Sequence, residues 1–293
     1  MRLAHASDLH VLDLEGVAPW RYLNKRLTGL VSLALARKSA HPIRLAERLV
    51  EDLLEVAPDH VLITGDLTNL ALEPEFVRAR RILEPLVERE MVSLIPGNHD
   101  VYTRGAEREA RFESFFGDVI WKDDIPEVDA RYPWHRRVGD VHVIGFCSAV
   151  PRAPIMATGA VSANQLQRLA RLAQDENFQD SLVIAMVHHN LHARGSRKDA
   201  MHGLENRDIF IEALQKAHVD VVLHGHTHVA HRFRINDMAV LGCGSSTWES
   251  TDPNHIARYN LYDIEEGKLT GIHTRMFSLE EDRFVDAGPL PIP

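Results

Sequence analysis

The segment VLHGHTHVAH carries four histidines within eight residues, at positions 224, 226, 228 and 231. Imidazole binds first-row transition metals in its neutral form, and it takes up or releases protons near neutral pH. The segment alone leaves three interpretations open, namely metal ligands, a catalytic histidine pair, or a polar patch at the end of a buried strand. Polar residues elsewhere in the chain are needed to choose among them.

Other residues able to bind metals follow four further short apolar runs. They are Asp8, His10, Asp66, Asn98, His99, Asp100 and His188. Each small group alone is typical of a turn or a helix cap. Ligands in open α/β sheets gather at the carboxyl ends of strands, so five strand ends carrying Asp, Asn or His indicate one shared site.

Short β-rich runs predict the strands that end at these residues. The runs are RLAHAS, HVLITGD, MVSLIPGN, VHVIGFCS, SLVIAMVHH and VDVVLHGH. Apolar residues at helical spacing predict helices over 45–57, 73–89 and 205–217. Ser162 and Gln165 fit a capping box, with Gln165 reaching back to the N-cap, which predicts a further helix to about Ala173.

The order of these elements predicts an α/β fold with two kinds of strand pairing. The first half alternates strand and helix, which implies parallel strands with right-handed crossovers. Four later segments are joined by short turns and predict antiparallel pairing. They are 231–236, 238–243, 257–264 and 269–277. We expect a mixed, two-sheet single domain over 1–283, followed by a Pro-rich tail, 284–293, without helix or strand.

Composition and charge disfavour several functional classes. The chain has 293 residues, with 45% hydrophobic and 26% charged, which is typical of a soluble globular protein. Its net charge of −9 disfavours attraction to nucleic acid. Two cysteines, Cys147 and Cys243, predict neither a disulfide framework nor a cysteine zinc motif. The start MRLAHASDLH lacks the apolar core of a signal peptide, so we expect a cytoplasmic protein, free or lying on a membrane surface.

In chain order, the polar strand ends resemble the five signature blocks of the calcineurin-like metallophosphoesterase superfamily. The blocks are Asp8-x-His10, Gly65-Asp66, Gly97-Asn98-His99-Asp100, His188 after a strand, and Gly225-His226-x-His228. The resemblance implies the family's fold, a β-sandwich flanked by helices in α/β/β/α layers. The fourth block often reads His-His-Pro in the family but is His188-His189-Asn190 here, so the following loop is expected to differ.

The same resemblance implies a dinuclear metal centre. Its first metal set would be Asp8, His10, Asp66 and His228. Its second metal set would be Asp66, Asn98, His188 and His226, so that Asp66 bridges the two ions. His99 would face the substrate as a catalytic residue, with Asp100 orienting its ring. Within VLHGHTHVAH, His224 is then expected to be a packed strand-end residue, and His231 has no assigned role.

These residue types suit the hydrolysis of phosphate esters. Nitrogen and oxygen ligands accommodate Mn²⁺, Fe²⁺ or Fe³⁺, Zn²⁺ or Co²⁺ without choosing among them. Two divalent ions with the Asp8 and Asp66 carboxylates and a bridging hydroxide would carry about +1, which attracts an anionic phosphate. The hydroxide would attack phosphorus in a phosphodiester or pyrophosphate, while His99 assists the leaving oxygen.

A basic insert, residues 16–46, follows the first block. It contains no acidic residue. One helical stripe within it is apolar and comprises Trp20, Leu23, Leu27, Leu30, Val31 and Ala34. Two interpretations stay open, namely a helix packed on the domain, or a lid beside the metal site through which residues 19–38 contact a membrane. Gly29 within the stripe suits a kinked or mobile element.

The substrate stays open at this point. The insert resembles in character those of UDP-diacylglucosamine hydrolases, which cleave lipid-linked pyrophosphates, whereas cyclic-nucleotide phosphodiesterases share the five blocks and a similar length. A non-catalytic scaffold of the same fold is a different class, against which the intact ligand positions argue. The acidic charge disfavours a nuclease. The glycines and serines of GCGSSTWES, 242–250, could let the backbone approach the site or could simply make a turn, and we expect the turn.

Overall fold

Two six-stranded sheets carry the described part of the chain. The computed structural model describes residues 1–32, 41–121, 131–175, 178 and 181–293, without the side chains of residues 31 and 32. Within these residues the strands are β1 (Arg2–Ala6), β2 (His60–Ile63), β3 (Val92–Leu94), β4 (Trp134–Val138), β5 (Val141–Gly145), β6 (Leu182–Met186), β7 (Val221–His224), β8 (Ala230–Ile235), β9 (Met238–Cys243), β10 (Arg258–Glu265), β11 (Lys268–Ser278) and β12 (Arg283–Leu290).

Helices connect and flank these strands. A short 3-10 helix, Pro19–Tyr22, is followed by α1 (Lys25–Ser32), α2 (Ile43–Val56), α3 (Glu73–Val87), α4 (Arg104–Arg108), α5 (Arg111–Trp121), α6 (Ala163–Leu172), α7 (Ser196–His202) and α8 (Arg207–Lys216). The predicted helices over 45–57, 73–89 and 205–217 correspond to α2, α3 and α8. In the described residues no helix is long and apolar enough to span a bilayer.

Parallel and antiparallel pairing coexist in both sheets. The first sheet has the order β12-β11-β10-β1-β2-β3, and the second has the order β4-β5-β6-β7-β9-β8. Strands β1 to β3 are parallel, as are β5, β6, β7 and β9. Strands β10, β11 and β12 are antiparallel, as are the β4–β5 and β8–β9 pairs. The predicted mixed, two-sheet α/β fold is therefore confirmed, although the parallel pairing of β9 with β7 was not foreseen.

Alternate residues of the second sheet enter two different cores. Val143 and Leu223 belong to the main core, which also contains residues of the first sheet. Ile144 and Val222, their neighbours in sequence, belong to a second core that includes residues of α6 and α8. Successive side chains of a strand point to opposite faces, so the second sheet is covered on both sides.

The capping box at α6 is only half formed. Ser162 Oγ accepts a hydrogen bond from the Gln165 backbone nitrogen at 3.3 Å, as expected of an N-cap. The Gln165 side chain bonds instead to the backbone nitrogen and oxygen of Cys147, at 3.0 and 2.8 Å. Both polar ends of its amide are satisfied there, so it does not reach back to the N-cap.

The C-terminal residues differ from the expected unstructured tail. Strand β12 pairs antiparallel with β11, so the prediction that 284–293 lacks a strand is wrong as far as Leu290. The strand lies at the edge of the first sheet. An edge strand tolerates Pro289 because the missing N–H can face away from the ladder.

Candidate metal centre

Five strand ends bring the predicted ligands together. The residues are Asp8 and His10 after β1, Asp66 after β2, Asn98 after β3, His188 after β6, and His226 and His228 after β7. Strands β1 to β3 belong to the first sheet, whereas β6 and β7 belong to the second. The site therefore forms where the carboxyl ends of both sheets meet.

Five of these seven residues have left-handed backbone torsion angles. The φ angle is 55° at Asp8, 48° at His10, 54° at Asp66, 68° at His226 and 57° at His228. Such a residue typically costs about 1 kcal/mol or more, and strain of this kind concentrates at functional sites. Backbone hydrogen bonds from Asp8 to Gly65 and from His10 to Asp66, at 3.0 and 2.9 Å, hold two of the turns against each other.

The first metal set forms one tight cluster. One donor atom from each of its four residues lies within 4.8 Å of the others. His228 Nε2 lies 2.9 Å from His10 Nε2 and 3.3 Å from Asp8 Oδ1. Asp66 Oδ2 lies 3.9 Å from His10 Nε2. This mixture of imidazole and carboxylate donors is one that transition metals accept.

The second metal set is joined to the first through Asp66. Asp66 Oδ2 lies 3.3 Å from His188 Nε2. Asn98 Oδ1 lies 3.1 Å from the same nitrogen and 2.8 Å from His226 Nδ1. Asp66 therefore lies near donor atoms of both sets, while its role as a bridge stays a prediction.

Outer hydrogen bonds direct lone pairs into the centre. His226 Nε2 lies 2.8 Å from the His202 carbonyl oxygen, which accepts its proton. The neutral ring then carries its lone pair on Nδ1, which faces the amide oxygen of Asn98. Two acceptors at this distance repel each other unless a cation lies between them. His188 Nδ1 similarly faces the Thr64 carbonyl at 2.7 Å, so the residues present fit a metal site.

The electrostatics of the centre also favour a cation. Burial lowers the pKa of His188, but the Asp66 and Asp8 carboxylates outweigh it and raise that pKa to about 9. Burial and neighbouring histidines lower the pKa of His10 and His226 well below the usual value, so these rings are neutral. A site that stabilises positive charge beside carboxylates and keeps other imidazoles neutral suits metal binding.

His99 lies beside the metal sets without belonging to either. Its Nδ1 lies 2.7 Å from the Asn69 carbonyl oxygen, and its ring stacks on Tyr102 at 5.4 Å between centroids. Its backbone nitrogen donates to Asp66 Oδ1 at 2.7 Å. The ring also lines the cavity at the centre. These contacts place it as expected for a residue that faces the substrate.

Asp100 has a different role from the one expected. Its carboxylate accepts hydrogen bonds from the backbone nitrogens of Leu67, Thr68 and Gly97, at 3.1, 2.9 and 2.9 Å. Burial and the charge of Asp66 raise the pKa of this carboxyl group to about 7. Asp100 thus fastens the loops that carry Asp66 and Asn98, while the Asn69 carbonyl orients the His99 ring. The carboxylate turns to these amides because they need a buried acceptor.

The remaining histidines near the last block are not in either metal set. His224 is buried, and its Nδ1 lies 3.1 Å from the Gly225 carbonyl, as expected of a packed strand-end residue. His231 stacks near His192, with 4.2 Å between ring centroids. His189 is held between Ser148 Oγ and the Ala157 carbonyl, at 2.8 and 3.1 Å.

Position 225 must be glycine because no side chain would fit there. A Cβ atom at this position would lie 1.9 Å from Ser7 Oγ and 2.6 Å from Asp8 Oδ2. The absent side chain therefore lets the backbone pass directly over Asp8, whose oxygens accept a hydrogen bond from the His226 nitrogen.

A cavity of about 470 Å³ opens over the two metal sets. Its lining includes Asp66, Asn98, His99, His226 and His228 on the metal side. Its other walls include Lys25, Tyr102, Ile155, Met156, Arg194 and Trp248. A phosphate ester bound there would contact both the metal ligands and two cationic side chains.

The basic insert forms part of this wall, with three residues of its apolar stripe exposed and a fourth, Leu30, packed against the main core. Trp20, Leu23 and Leu27 are 71%, 78% and 51% exposed, so the interpretation of a helix packed through this stripe is wrong for these residues. Arg26 is buried instead, and it donates to the carbonyl oxygens of Leu70 and Ala71 at 2.8 and 3.0 Å. The rest of the predicted stripe, from the Val31 side chain to Ala34, lies outside the described residues.

Gly29 is explained by close packing of α1 rather than by a kink. A Cβ atom there would lie 2.6 Å from Leu70 Cδ2 and 2.9 Å from the Tyr102 hydroxyl. The glycine lets α1 approach the cavity wall.

The segment 242–250 supports the site directly, so its contacts favour the approach to the site over the simple turn that was expected. Ser245 Oγ donates to the Asp8 carbonyl at 2.8 Å. Trp248 lines the cavity and contacts His228, with 5.2 Å between ring centroids. His41, at the end of the insert, also lies within ligand distance of His10 and His228. The sequence offered no motif for either His41 or Trp248, because each meets the site only through the fold.

Comparisons with known proteins agree with this geometry. The family model described as calcineurin-like phosphoesterase matches residues 1–230. A protein of Ruthia magnifica subsp. Calyptogena magnifica, described as a probable cyclic nucleotide phosphodiesterase, is 22% identical over 230 residues. That match covers 76% of this chain and 85% of the relative.

Solved structures share the fold. A dimetal phosphatase from Danio rerio superposes with a TM-score of 0.62 and 14% identity, covering 98% of both chains. GAP50 of Plasmodium, described as the anchor in the inner membrane complex, gives a TM-score of 0.51 and 12% identity, covering 100% of this chain and 90% of its own. At these identities the likeness bears on architecture alone, and it matches the expected layered sandwich.

Proposed function

Because the chain belongs to the calcineurin-like phosphoesterase family, we propose that this metal-dependent phosphoesterase hydrolyses phosphodiester or pyrophosphate bonds at a dinuclear centre. The first and second metal sets would hold the two ions. The observation that carries the proposal is the position of Asp66 Oδ2, 3.9 Å from His10 Nε2 and 3.3 Å from His188 Nε2. A carboxylate between two groups of nitrogen donors is what a bridging ligand requires.

The charge of the ligand residues suits an anionic substrate. The two metal sets contain only two carboxylates, Asp8 and Asp66, whereas the other donors are neutral imidazoles and an amide. Bound metal ions would polarise the phosphoryl group and lower the pKa of a water molecule. With so few carboxylates, the ions keep net positive charge to attract phosphate.

Two side chains would act on the substrate. His99, held through Nδ1 by the Asn69 carbonyl, would give a proton to the leaving oxygen from its other nitrogen. Lys25 would bind a phosphate oxygen from the opposite wall. Its Nζ lies 4.5 Å from the centre of the Tyr102 ring and 3.2 Å from the Met156 carbonyl. Burial lowers the pKa of this amine, and a bound phosphate would restore the favourable charge pairing.

Two substrate classes have specific support. The relative described as a probable cyclic nucleotide phosphodiesterase supports a cyclic nucleotide. The exposed Leu27 on α1 and Leu23 just before it, either side of the cavity-lining Lys25, support a phosphate ester that carries an apolar chain, as does the exposed Ile155 of the cavity wall. Such a rim would meet acyl chains or the surface of a membrane.

A panel of hydrolysis assays on Mn²⁺-loaded protein tests the function and separates these classes. The substrates are bis(p-nitrophenyl) phosphate, cyclic nucleotides, glycerophosphodiesters and nucleotide-linked lipids. We expect hydrolysis of the first of these, because the centre acts on the phosphoryl group itself. No hydrolysis of any substrate by protein that has bound two ions would overturn the proposal and favour a non-catalytic scaffold.

The double variant Leu23→Glu/Leu27→Glu tests whether the exposed leucines of the rim contribute to the hydrolysis of lipid substrates. If lipid substrates are natural, kcat/KM should fall for them and stay within about twofold for bis(p-nitrophenyl) phosphate, since exposed substitutions rarely disturb the fold. If the variant keeps the wild-type kcat/KM on every substrate, the result would instead favour a cyclic nucleotide as the substrate. Val77→Glu, at another exposed apolar position on α3, is the matched control.

A further inference from the structure

His41 lies at the first metal set but outside every signature block. It lies within the basic insert, two residues before α2, and is only 7% exposed. One ring nitrogen from each of His41, His10 and His228 lies within 4.8 Å of the other two. Its ring centroid is 4.7 Å from that of His10 and 5.7 Å from that of His228. Three imidazoles thus converge beside the two carboxylates.

Hydrogen bonding determines which nitrogen of His41 carries the proton in the neutral ring. Thr247 Oγ1 lies 2.9 Å from His41 Nδ1 and 2.7 Å from the Leu9 carbonyl oxygen. A hydroxyl has one proton and a carbonyl can only accept, so Thr247 donates to Leu9 and accepts from His41 Nδ1. The neutral ring therefore carries its lone pair on Nε2, the form in which imidazole binds a metal.

The surroundings hold the ring in this orientation. Trp248 packs against His41 and His228, with 5.4 and 5.2 Å between ring centroids. Thr247 is itself buried beneath the Asp8 loop. The Leu9 carbonyl, the Thr247 hydroxyl and the Trp248 indole together hold His41 in the way that neighbouring groups hold metal-bound histidines.

We propose that His41 is a fifth protein ligand of the ion held by the first metal set, an inference that rests on the proposed dinuclear function. A neutral ligand leaves the charge of the centre unchanged, so the attraction for phosphate is kept. It fills a coordination position that water or substrate would otherwise take. The first ion would then have five protein ligands and the second four, which would leave more coordination positions for a substrate oxygen at the second ion.

Cobalt titration of His41→Ala measures this ligand without relying on activity. Calorimetry should give two Co²⁺ ions for the wild type and, in the variant, an affinity at one site lowered by more than about 10-fold. Even the loss of a partner that only supports a ligand costs about 10- to 100-fold. His255→Ala is the matched control, because His255 lines the cavity and stacks on Trp248 at 4.5 Å but is not among the three converging imidazoles.

His41→Cys gives an independent spectroscopic signature. A thiolate bound to Co²⁺ adds a ligand-to-metal charge-transfer band, which should appear in this variant and be absent from the wild type and from His255→Cys. The band decides the matter if His41→Ala fails to fold. Two Co²⁺ ions bound with wild-type affinity by His41→Ala, or folded His41→Cys loaded with two ions but without the band, would overturn the inference alone. A wild type that binds fewer than two ions would overturn the dinuclear function as well.

Discussion

At the level of single residues, the placement of His99 separates proton transfer from metal binding. We expect His99→Ala to keep two ions, because the side chain belongs to neither metal set and its Nδ1 contacts the Asn69 carbonyl. Loss of a general acid should lower kcat by about 10²- to 10⁴-fold. Metal content and kcat measured on the same preparation test this. If both fell together, His99 would be a ligand or a structural residue.

Asp66 should behave in the opposite way. Asp66→Asn preserves the size of the side chain and an oxygen to accept from the His99 nitrogen, but it removes the charge shared by both metal sets. We therefore expect weakened binding at both sites, with fewer than two ions retained after dialysis. Elemental analysis beside the wild type provides the measurement. Retention of two ions would contradict a bridging Asp66.

The sequence predicts the candidate metal-ligand side chains far better than the residues that surround and position them. Candidate metal ligands such as Asp8 and His10 stand at fixed short spacings, so local motifs point to them. His41 meets His10 only after the insert and the segment 242–250 have folded against the first block. Asp100 shows the opposite difficulty. Its position next to His99 suggested that it orients the His99 ring, but its carboxylate accepts hydrogen bonds from loop amides.

At the level of elements, α1 is held to the cavity wall by a buried arginine. Arg26 donates to the Leu70 and Ala71 carbonyls. Arg26→Met removes the side-chain donor of the buried Leu70 carbonyl, which typically costs about 1–3 kcal/mol, while the Ala71 carbonyl keeps a hydrogen bond from Arg111. We expect a lower free energy of unfolding and a higher KM, because α1 carries Lys25 into the cavity. Urea unfolding and steady-state kinetics measure the two effects.

Arg21→Met is the matched control for this prediction. Arg21 belongs to the same insert, but it pairs with Glu73 in a partly exposed ion pair. Exposed pairs contribute about 0–1 kcal/mol, so this variant should unfold near the wild-type urea concentration. Equal effects of the two substitutions would show that the loss of any basic residue from the insert lowers the free energy of unfolding and raises KM.

Helices were easier to predict than strand partners. The apolar period of α2 predicts its position to within two residues at each end and the face that Leu45, Leu49 and Leu53 bury. Partners of β9 and β12 depend on residues far along the chain, so no local period specifies them. The sequence left two interpretations of the insert open because hydrophobic stripes normally turn inward, whereas α1 buries Arg26 and exposes Leu27.

At the level of the whole molecule, the centre depends on both sheets. Asp8 and Asp66 come from the first sheet, whereas His188 and His226 come from the second. The second metal set therefore forms only after the sheets have packed through the main core. Metal binding should report on the complete fold rather than on any one segment.

The same packing buries His5 in its neutral form, which makes stability depend on pH. His5 in β1 contacts the Tyr262 hydroxyl through Nδ1 and Thr64 Oγ1 through Nε2, at 3.0 and 2.9 Å. Burial, and then the nearby His224, lowers its pKa from 6.5 to about 3. Between these values the unfolded chain binds a proton that the folded chain does not. The stabilising contribution is therefore complete above 6.5 and is lost as the pH falls towards 3.

His5→Gln removes the titratable imidazole while keeping a polar side chain in the same place. Because the folded-state pKa lies well below 5, acidification from about pH 7.5 to about pH 5 should cost the wild type about 2 kcal/mol at this residue. The difference in unfolding free energy between wild type and variant should therefore shrink by that amount, as measured by urea unfolding at both pH values. His218→Gln, at an exposed position, is the control. A difference that stays constant between the two pH values would mean that His5 is protonated in the folded protein.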